Sequence, residues 1–312
     1  MNDIVLETTD LTKTYRDHMV IDHMNMKIEK GKIYGFIGRN GAGKTTFLRL
    51  VTGLAFPTSG RISLWGQSMP AVLQAQRKRI GCLIETPALY PTMSAQQNLE
   101  MARISRGIPD RAVIERTLAL VGLAEAGKKR VRHFSLGMRQ RLGIAMALLH
   151  TPEFLILDEP INGLDPEGIA DIRALLLQLN REYGTTILVS SHILEELHQL
   201  ASDFIIIEQG RIIEKISAQT LDERCKQHLA IATTDPQKAL LALEGQLQTS
   251  EFTLMPDGTI RLYDHLDDVE TVATALADAH VLVTGLTLTG ASLEDYFLQK
   301  IGGDAHGQSP QG

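Results

Sequence analysis

The chain has 312 residues, enough for about two domains of ordinary size. Hydrophobic residues make up 44% and charged residues 22%, so it can bury a sizeable core, and a net charge of −6 argues against work that consists of neutralising nucleic-acid phosphates. Two cysteines, Cys82 and Cys225, exclude a disulfide framework and a CxxC metal site and point to a reducing, intracellular setting; no run nears the roughly 18 apolar residues of a membrane span, and no signal peptide is evident at the N-terminus.

Short β-branched runs alternate with helical patterns through the first two thirds, which predicts an α/β fold around a largely parallel sheet. Ile33–Ile37 is an apolar strand that ends at a glycine-rich turn. Residues 96–150 are helical by pattern and read as an inserted helical subdomain, about 86–150 in full. Two further buried strands are expected at 154–157 and 186–189. Between them Asp165 is an N-cap, Pro166 the first helical residue, Ile169, Ile172, Leu175, Leu176 and Leu179 an apolar face, and Gly184 a stop.

From about residue 218 the rhythm changes. A strand at 229–233, a helix at Pro236–Leu247, a hairpin of 251–254 and 259–262 across Pro256-Asp257-Gly258, a helix at 266–279 and a strand at 281–288 give β-α-β-β-α-β. That order fits a small α+β appendage of ferredoxin-like type, 221–302. A last helix at 292–300 precedes a Gly/Gln/Ser tail, 303–312, expected to be disordered.

Three segments carry chemistry. Gly38-Arg39-Asn40-Gly41-Ala42-Gly43-Lys44-Thr45-Thr46 matches G-x-x-x-x-G-K-[ST] between a strand and a helix. In such a loop backbone N–H groups wrap phosphates, the lysine reaches the β- and γ-phosphates, and the hydroxyl of the residue after it holds Mg²⁺. Next, the apolar run 154–157 delivers Asp158 and Glu159 to a strand end, where Asp158 can hold Mg²⁺ and Glu159 can activate a water. Finally, Ser135 caps an apolar helix, and Ser135 with the Gly137 N–H can bind an anion at the helix start.

Taken with Asn162-Gly163-Leu164-Asp165 and Ser190-Ser191-His192, these segments come in the order of the ATP-binding cassette (ABC) ATPases, which the chain resembles over roughly residues 4–220. The resemblance implies an ABC-type P-loop domain at 1–220 that binds ATP and Mg²⁺ and hydrolyses ATP. It makes Tyr15, in Thr12-Lys13-Thr14-Tyr15, the aromatic that stacks on adenine, Asp165 the aspartate linking two subunits, and His192 the switch histidine at the γ-phosphate. Family members work as head-to-tail dimers that sandwich ATP between one phosphate loop and the other subunit's signature. A second copy or a sister cassette is therefore implied, together with a separate transmembrane permease and a peripheral place on the cytoplasmic side of the membrane.

Two departures stand out. The usual signature Leu-Ser-Gly-Gly-Gln reads Phe134-Ser135-Leu136-Gly137-Met138, keeping the serine and the second glycine. In the segment Ile80-Gly81-Cys82-Leu83-Ile84-Glu85-Thr86-Pro87-Ala88-Leu89-Tyr90-Pro91, Glu85 stands where relatives carry glutamine. A carboxylate can still bind Mg²⁺ or order water but donates no hydrogen bond. This feature resembles the ATPase subunits of bacitracin- and lantibiotic-type peptide-antibiotic transporters; a drug or sodium exporter, or a non-transport ABC protein, is the alternative. The basic run Lys128-Lys129-Arg130-Val131-Arg132 is explained at least as well by a solvated edge as by a nucleic-acid patch, and no nucleic-acid partner is expected. Met19, Met24 and Met26 are expected to pack a sheet.

Overall fold

The structure, a computed structural model, describes residues 3–290 and 292–302; the tail at 303–312 lies outside the described residues. The chain divides into two compact units, Met1–Ala218 and Gln219–Gly312.

In the first unit, β1 (Ile4–Tyr15) and β2 (His18–Glu29) form an antiparallel hairpin. Met24 and Met26 are buried on it, whereas Met19, beside the turn and opposite Thr14, is 44% exposed. The chain then enters β3 (Ile33–Ile37), α1 (Lys44–Thr52), β4 (Ser59–Leu64), α2 (Pro70–Arg77) and β5 (Ile80–Leu83). Three helices follow, α3 (Ala95–Ser105), α4 (Val113–Leu120) and α5 (Leu136–Leu148). After them come β6 (Phe154–Asp158), α6 (Pro166–Tyr183), β7 (Thr186–Ser191), α7 (Leu194–His198), β8 (Asp203–Glu208) and β9 (Arg211–Ser217).

Two sheets result: an antiparallel one in the order β2-β1-β4, and a six-stranded one in the order β5-β6-β7-β3-β8-β9 with only β9 antiparallel. Every residue of β3, β6 and β7 is buried, as a parallel sheet covered on both faces requires. One core cluster joins Leu6 and Ile21 of the antiparallel sheet, Phe47, Leu48, Leu50 and Val51 of α1, and Phe36, Phe154 and Ile205 of the parallel sheet. The helix that begins at the phosphate loop is thus held by core packing along its length. Phe47 is fully buried, with its ring centroid 5.3 Å from that of Phe36. Phe47→Ala is expected to cost about 3–5 kcal/mol of unfolding free energy, read by denaturant titration. A loss under about 1 kcal/mol, the range of an exposed site, would mean that α1 is not locked this way.

Caps set the helix boundaries. The Ser135 hydroxyl accepts from the Met138 N–H at the start of α5 (3.2 Å), and the Asp165 carboxylate accepts from the Gly168 N–H at the start of α6 (3.0 Å). Gly184, at φ 64°, ends α6.

Helix α8 (Ala218–Cys225) starts at the last residue of the first unit, and the second unit continues through β10 (His228–Thr233), α9 (Pro236–Leu247), β11 (Phe252–Leu254), β12 (Ile260–Leu262), α10 (Val269–Asp278), β13 (Val283–Thr289) and α11 (Leu293–Gly302). Its antiparallel sheet has the order β11-β12-β10-β13, the ferredoxin-like arrangement expected from the element order. Leu229, Ile231, Leu243, Ile260, Leu262, Val272 and Leu276 fill a separate core. α10 starts three residues later than its apolar pattern because Asp268 caps it, accepting from the Thr271 N–H at 3.1 Å. Val281 is withheld from β13 because its N–H closes the end of α10 on the Leu276 carbonyl (2.9 Å).

Among the described residues no helix is long and apolar enough to cross a membrane.

Candidate functional site

The carboxyl ends of three adjacent parallel strands build the site. Ile37 of β3 pairs with Ser191 of β7, and Asp158 of β6 pairs with Ser190 of β7. The residues that leave these strands, Gly38, Glu159 and His192, therefore emerge on one edge, where open α/β sheets bind their ligands. The phosphate loop needs glycine at two of its positions for different reasons. A Cβ on Gly38 would stand 2.5 Å from the Ile207 carbonyl oxygen; Gly43, at φ 106°, precedes Lys44 in a conformation that disfavours any side chain.

Lys44 is 6% exposed. Its Nζ donates to the Gly38 carbonyl at 2.6 Å and lies 3.2 Å from Glu159 Oε1. That Oε1 is covered and accepts no hydrogen bond, so the contact with Lys44 is an ion pair off the hydrogen-bonding direction. Glu159 Oε2 meets His192 Nδ1 at 2.9 Å. Lysine, carboxylate and imidazole form one continuous chain. The Glu159 backbone sits at φ 47°, a strained value for a residue with a side chain.

Asp158, 3% exposed, is held on both oxygens: Thr45 Oγ1 donates to Oδ2 at 2.8 Å and Ser190 Oγ donates to Oδ1 at 2.6 Å. Ser190 Oγ also accepts the Glu159 N–H at 3.0 Å, so one hydroxyl sets both adjacent carboxylates. Burial pushes the Glu196 carboxyl above its ordinary value; the nearby Glu159 adds to this, while His192 and a hydrogen bond with Ser191 oppose it.

A hydroxyl beside a carboxylate, Thr45 with Asp158, is a hard-oxygen pair suited to Mg²⁺ that also contacts substrate phosphates. Among the described residues no group of three His, Cys, Asp or Glu could hold a metal by itself.

Sequence order placed further residues near this chemistry, and the structure distributes them. Asn40 and Gly41 are exposed on the loop, Ala42 and Gly43 are buried, and Thr46 is half-buried on α1. Tyr15 is 44% exposed at the end of β1, with Lys13 Nζ 4.6 Å from its ring centroid. Glu85 pairs with Arg49 Nη2 at 2.5 Å. Ser135 and Asp165 are exposed at their helix starts, and their side chains are engaged as caps. The two starts adjoin: a Cβ on Gly137 would stand 3.8 Å from Leu164 Cδ2, and one on Gly163 3.4 Å from Leu136 Cδ2.

Sequence reasoning missed Ser190 as the joint of the carboxylate pair, Arg49 as the partner of Glu85, and Glu196. A signal for Ser190 existed in two serines at the end of a strand expected beside Asp158. For Arg49 none existed, because its partner lies 36 positions away.

Known proteins share both the sequence and the architecture. The ABC transporter family matches residues 21–162. Bacitracin transport ATP-binding protein BcrA of Bacillus licheniformis is 42% identical over 303 residues, 97% of this chain and 99% of its own length. Lantibiotic transport ATP-binding protein SrtF of Streptococcus pyogenes is 42% identical over 209 residues, 67% of this chain and 89% of its own. Among solved structures, cbiO1 of Clostridium perfringens, part of the ABC transporter complex cbiONQ, superposes with a TM-score of 0.65 at 26% identity, over 71% of this chain and 92% of that one. With a strand-edge phosphate loop, a pair of adjacent carboxylates and 42% identity over nearly its full length to a transport ATP-binding protein, this chain belongs to the ATP-binding proteins of ABC transporters.

Proposed function

We propose that the chain is the ATP-hydrolysing subunit of an exporter that expels or detaches a peptide antibiotic of the bacitracin or lantibiotic type through a separate permease. The observation that carries the chemistry is the Lys44–Glu159–His192 chain, at 3.2 and 2.9 Å, beside the Thr45–Asp158 pair. Lys44 and the amides from Gly38 to Thr46, with Asn40, Gly41, Ala42 and Gly43, cradle the phosphates and offset their charge. Glu159 accepts the proton of the attacking water, and His192 holds its carboxylate and contacts the γ-phosphate. Thr45 and Asp158, together with Glu85, would hold Mg²⁺, and the ion would supply positive charge to offset that of the phosphates.

Tyr15, exposed on β1, stacks on the adenine. Ser135 and Gly137 supply the signature that closes over ATP bound to the partner, and Asp165 links the two subunits. The partner is a second copy or a sister cassette, and the pair docks on the permease at the cytoplasmic face of the membrane. Support for the peptide-antibiotic substrate comes from the two relatives' transport activities and from Glu85. The domain at 1–220 performs this work; the unit at 221–302 is an appendage to it.

A deletion strain tests the substrate. Loss of the chain should sensitise cells to bacitracin or a lantibiotic, and the wild-type gene, but not Glu159→Gln, should restore resistance. Unchanged sensitivity to such peptides would transfer the ATPase to a general drug or sodium exporter.

A further inference from the structure

Glu85 is the one position of the site where this chain replaces an expected neutral amide by a charge, and the structure supplies the charge that answers it. β5 pairs in parallel with β6, Leu83 opposite Leu157, so Glu85 leaves its strand at the same edge as Glu159. Its backbone lies at φ 61°, in the left-handed region, so the chain turns there and its local conformation alone does not direct the side chain. Arg49 directs it. The guanidinium Nη2 donates to Glu85 Oε1 at 2.5 Å, and among the described residues neither side chain has another hydrogen-bonding or ionic partner.

Arg49 stands in the last turn of α1, the helix whose first residues are Lys44 and Thr45. One rigid helix therefore carries the phosphate-binding lysine at its start and the clamp on the Glu85 loop near its end. Both members are partly solvent-exposed, at 40% for Arg49 and 57% for Glu85, so the pair opens at little cost and is screened by salt. Such a contact adds little to fold stability; its consequence lies in where a negative charge is held.

We propose that Arg49 is a positioning residue that holds and neutralises the Glu85 carboxylate, so that the edge receiving a triphosphate does not present an unpaired anion. The inference rests on ATP occupying the phosphate loop. A carboxylate released from Arg49 opposes the approach of ATP as any like charge does. A glutamine at position 85 carries no charge and needs no such partner.

The test uses the full-length chain and has two arms. In the first, ATP is titrated in the presence of EDTA, so that no divalent ion attracts the free carboxylate. Arg49→Met should raise the dissociation constant about three- to fivefold, the most an exposed ion pair carries. Arg49→Met combined with Glu85→Gln should return it to the wild-type value, and added salt should shrink the difference between single variant and wild type. A purely structural Arg49 would not be rescued by Glu85→Gln.

In the second arm, amide hydrogen exchange is followed without nucleotide. Residues 84–88 should exchange about three- to fivefold faster in both Arg49→Met and Glu85→Gln, because each removes the same clamp. Unchanged exchange in these variants, or an affinity loss that persists with Glu85→Gln, overturns the proposal. Failure of the wild-type chain to bind ATP would instead overturn the ATPase assignment, and the exchange arm would still decide the role of Arg49.

Discussion

Glu159→Gln should lower ATP turnover about 10²- to 10⁴-fold, the range for loss of a positioned general base, while ATP binding survives. The substitution keeps shape and volume. The backbone N–H of residue 159 still meets Ser190 Oγ, now at 3.0 Å, because that bond does not involve the side chain. An amide at 159 can still face His192 Nδ1, which meets the carboxylate at 2.9 Å, but it cannot take a proton from water. The Lys44 ion pair, 3.2 Å long, is lost at the same time. Lys44 is then released to the phosphates without first leaving a carboxylate, so affinity for ATP should hold or rise. Phosphate release at saturating Mg-ATP checks the first effect. A wild-type rate would remove Glu159 from the chemistry.

Lys44→Ala should abolish useful ATP affinity and reduce turnover about 10²- to 10³-fold, the scale for removing one preorganised charge-stabilising donor. Two terms add. The first is the missing cation at the phosphates. The second is that Glu159, with an Oε1 that accepts no hydrogen bond, loses its lysine partner. An uncompensated carboxylate left where the phosphates arrive opposes them further. The fold itself is held by the core faces of α1, Phe47, Leu48, Leu50 and Val51, whose side chains the substitution leaves in place. Equilibrium titration with ATP is the check, and unaltered binding would contradict the phosphate-loop assignment.

Legibility from sequence follows the range of the interaction concerned. β3 could be bounded correctly because Ile33, Tyr34, Phe36 and Ile37, around Gly35, form a short apolar run between a turn and the glycine-rich loop, and all five residues are buried. α9 was equally plain, with Pro236 in its first turn and Asp235 capping it on the Lys238 N–H at 3.1 Å. At α10 a local cap competes with the apolar pattern: Asp268 caps the helix, whereas the apolar pattern around Leu266 places its start three residues too early. Met19 shows the same weakness in a strand: it pairs with Thr14 in the hairpin, yet beside the turn its side chain is 44% exposed.

The chemistry-bearing residues were legible as types and spacings, and their mutual geometry was not. Nothing in the sequence says that Ser190 bridges Asp158 to the Glu159 backbone, because that joint depends on the register of β6 against β7. Nor does it say that Lys44 rests on Glu159, across 115 positions of chain. Arg49 and Glu85 meet only because α1 packs under the parallel sheet and β5 lies at its edge. Each of these is a tertiary contact without local periodicity.

The central claim is that this chain separates ATP binding, made by the phosphate loop, from ATP cleavage, made by Glu159. The most direct measurement is ATP binding and phosphate release on the same preparations of wild type, Lys44→Ala and Glu159→Gln, with Mg²⁺ present. The account predicts that wild type binds and turns over, Glu159→Gln binds without turning over, and Lys44→Ala does neither. Turnover by Glu159→Gln at the wild-type rate would contradict it.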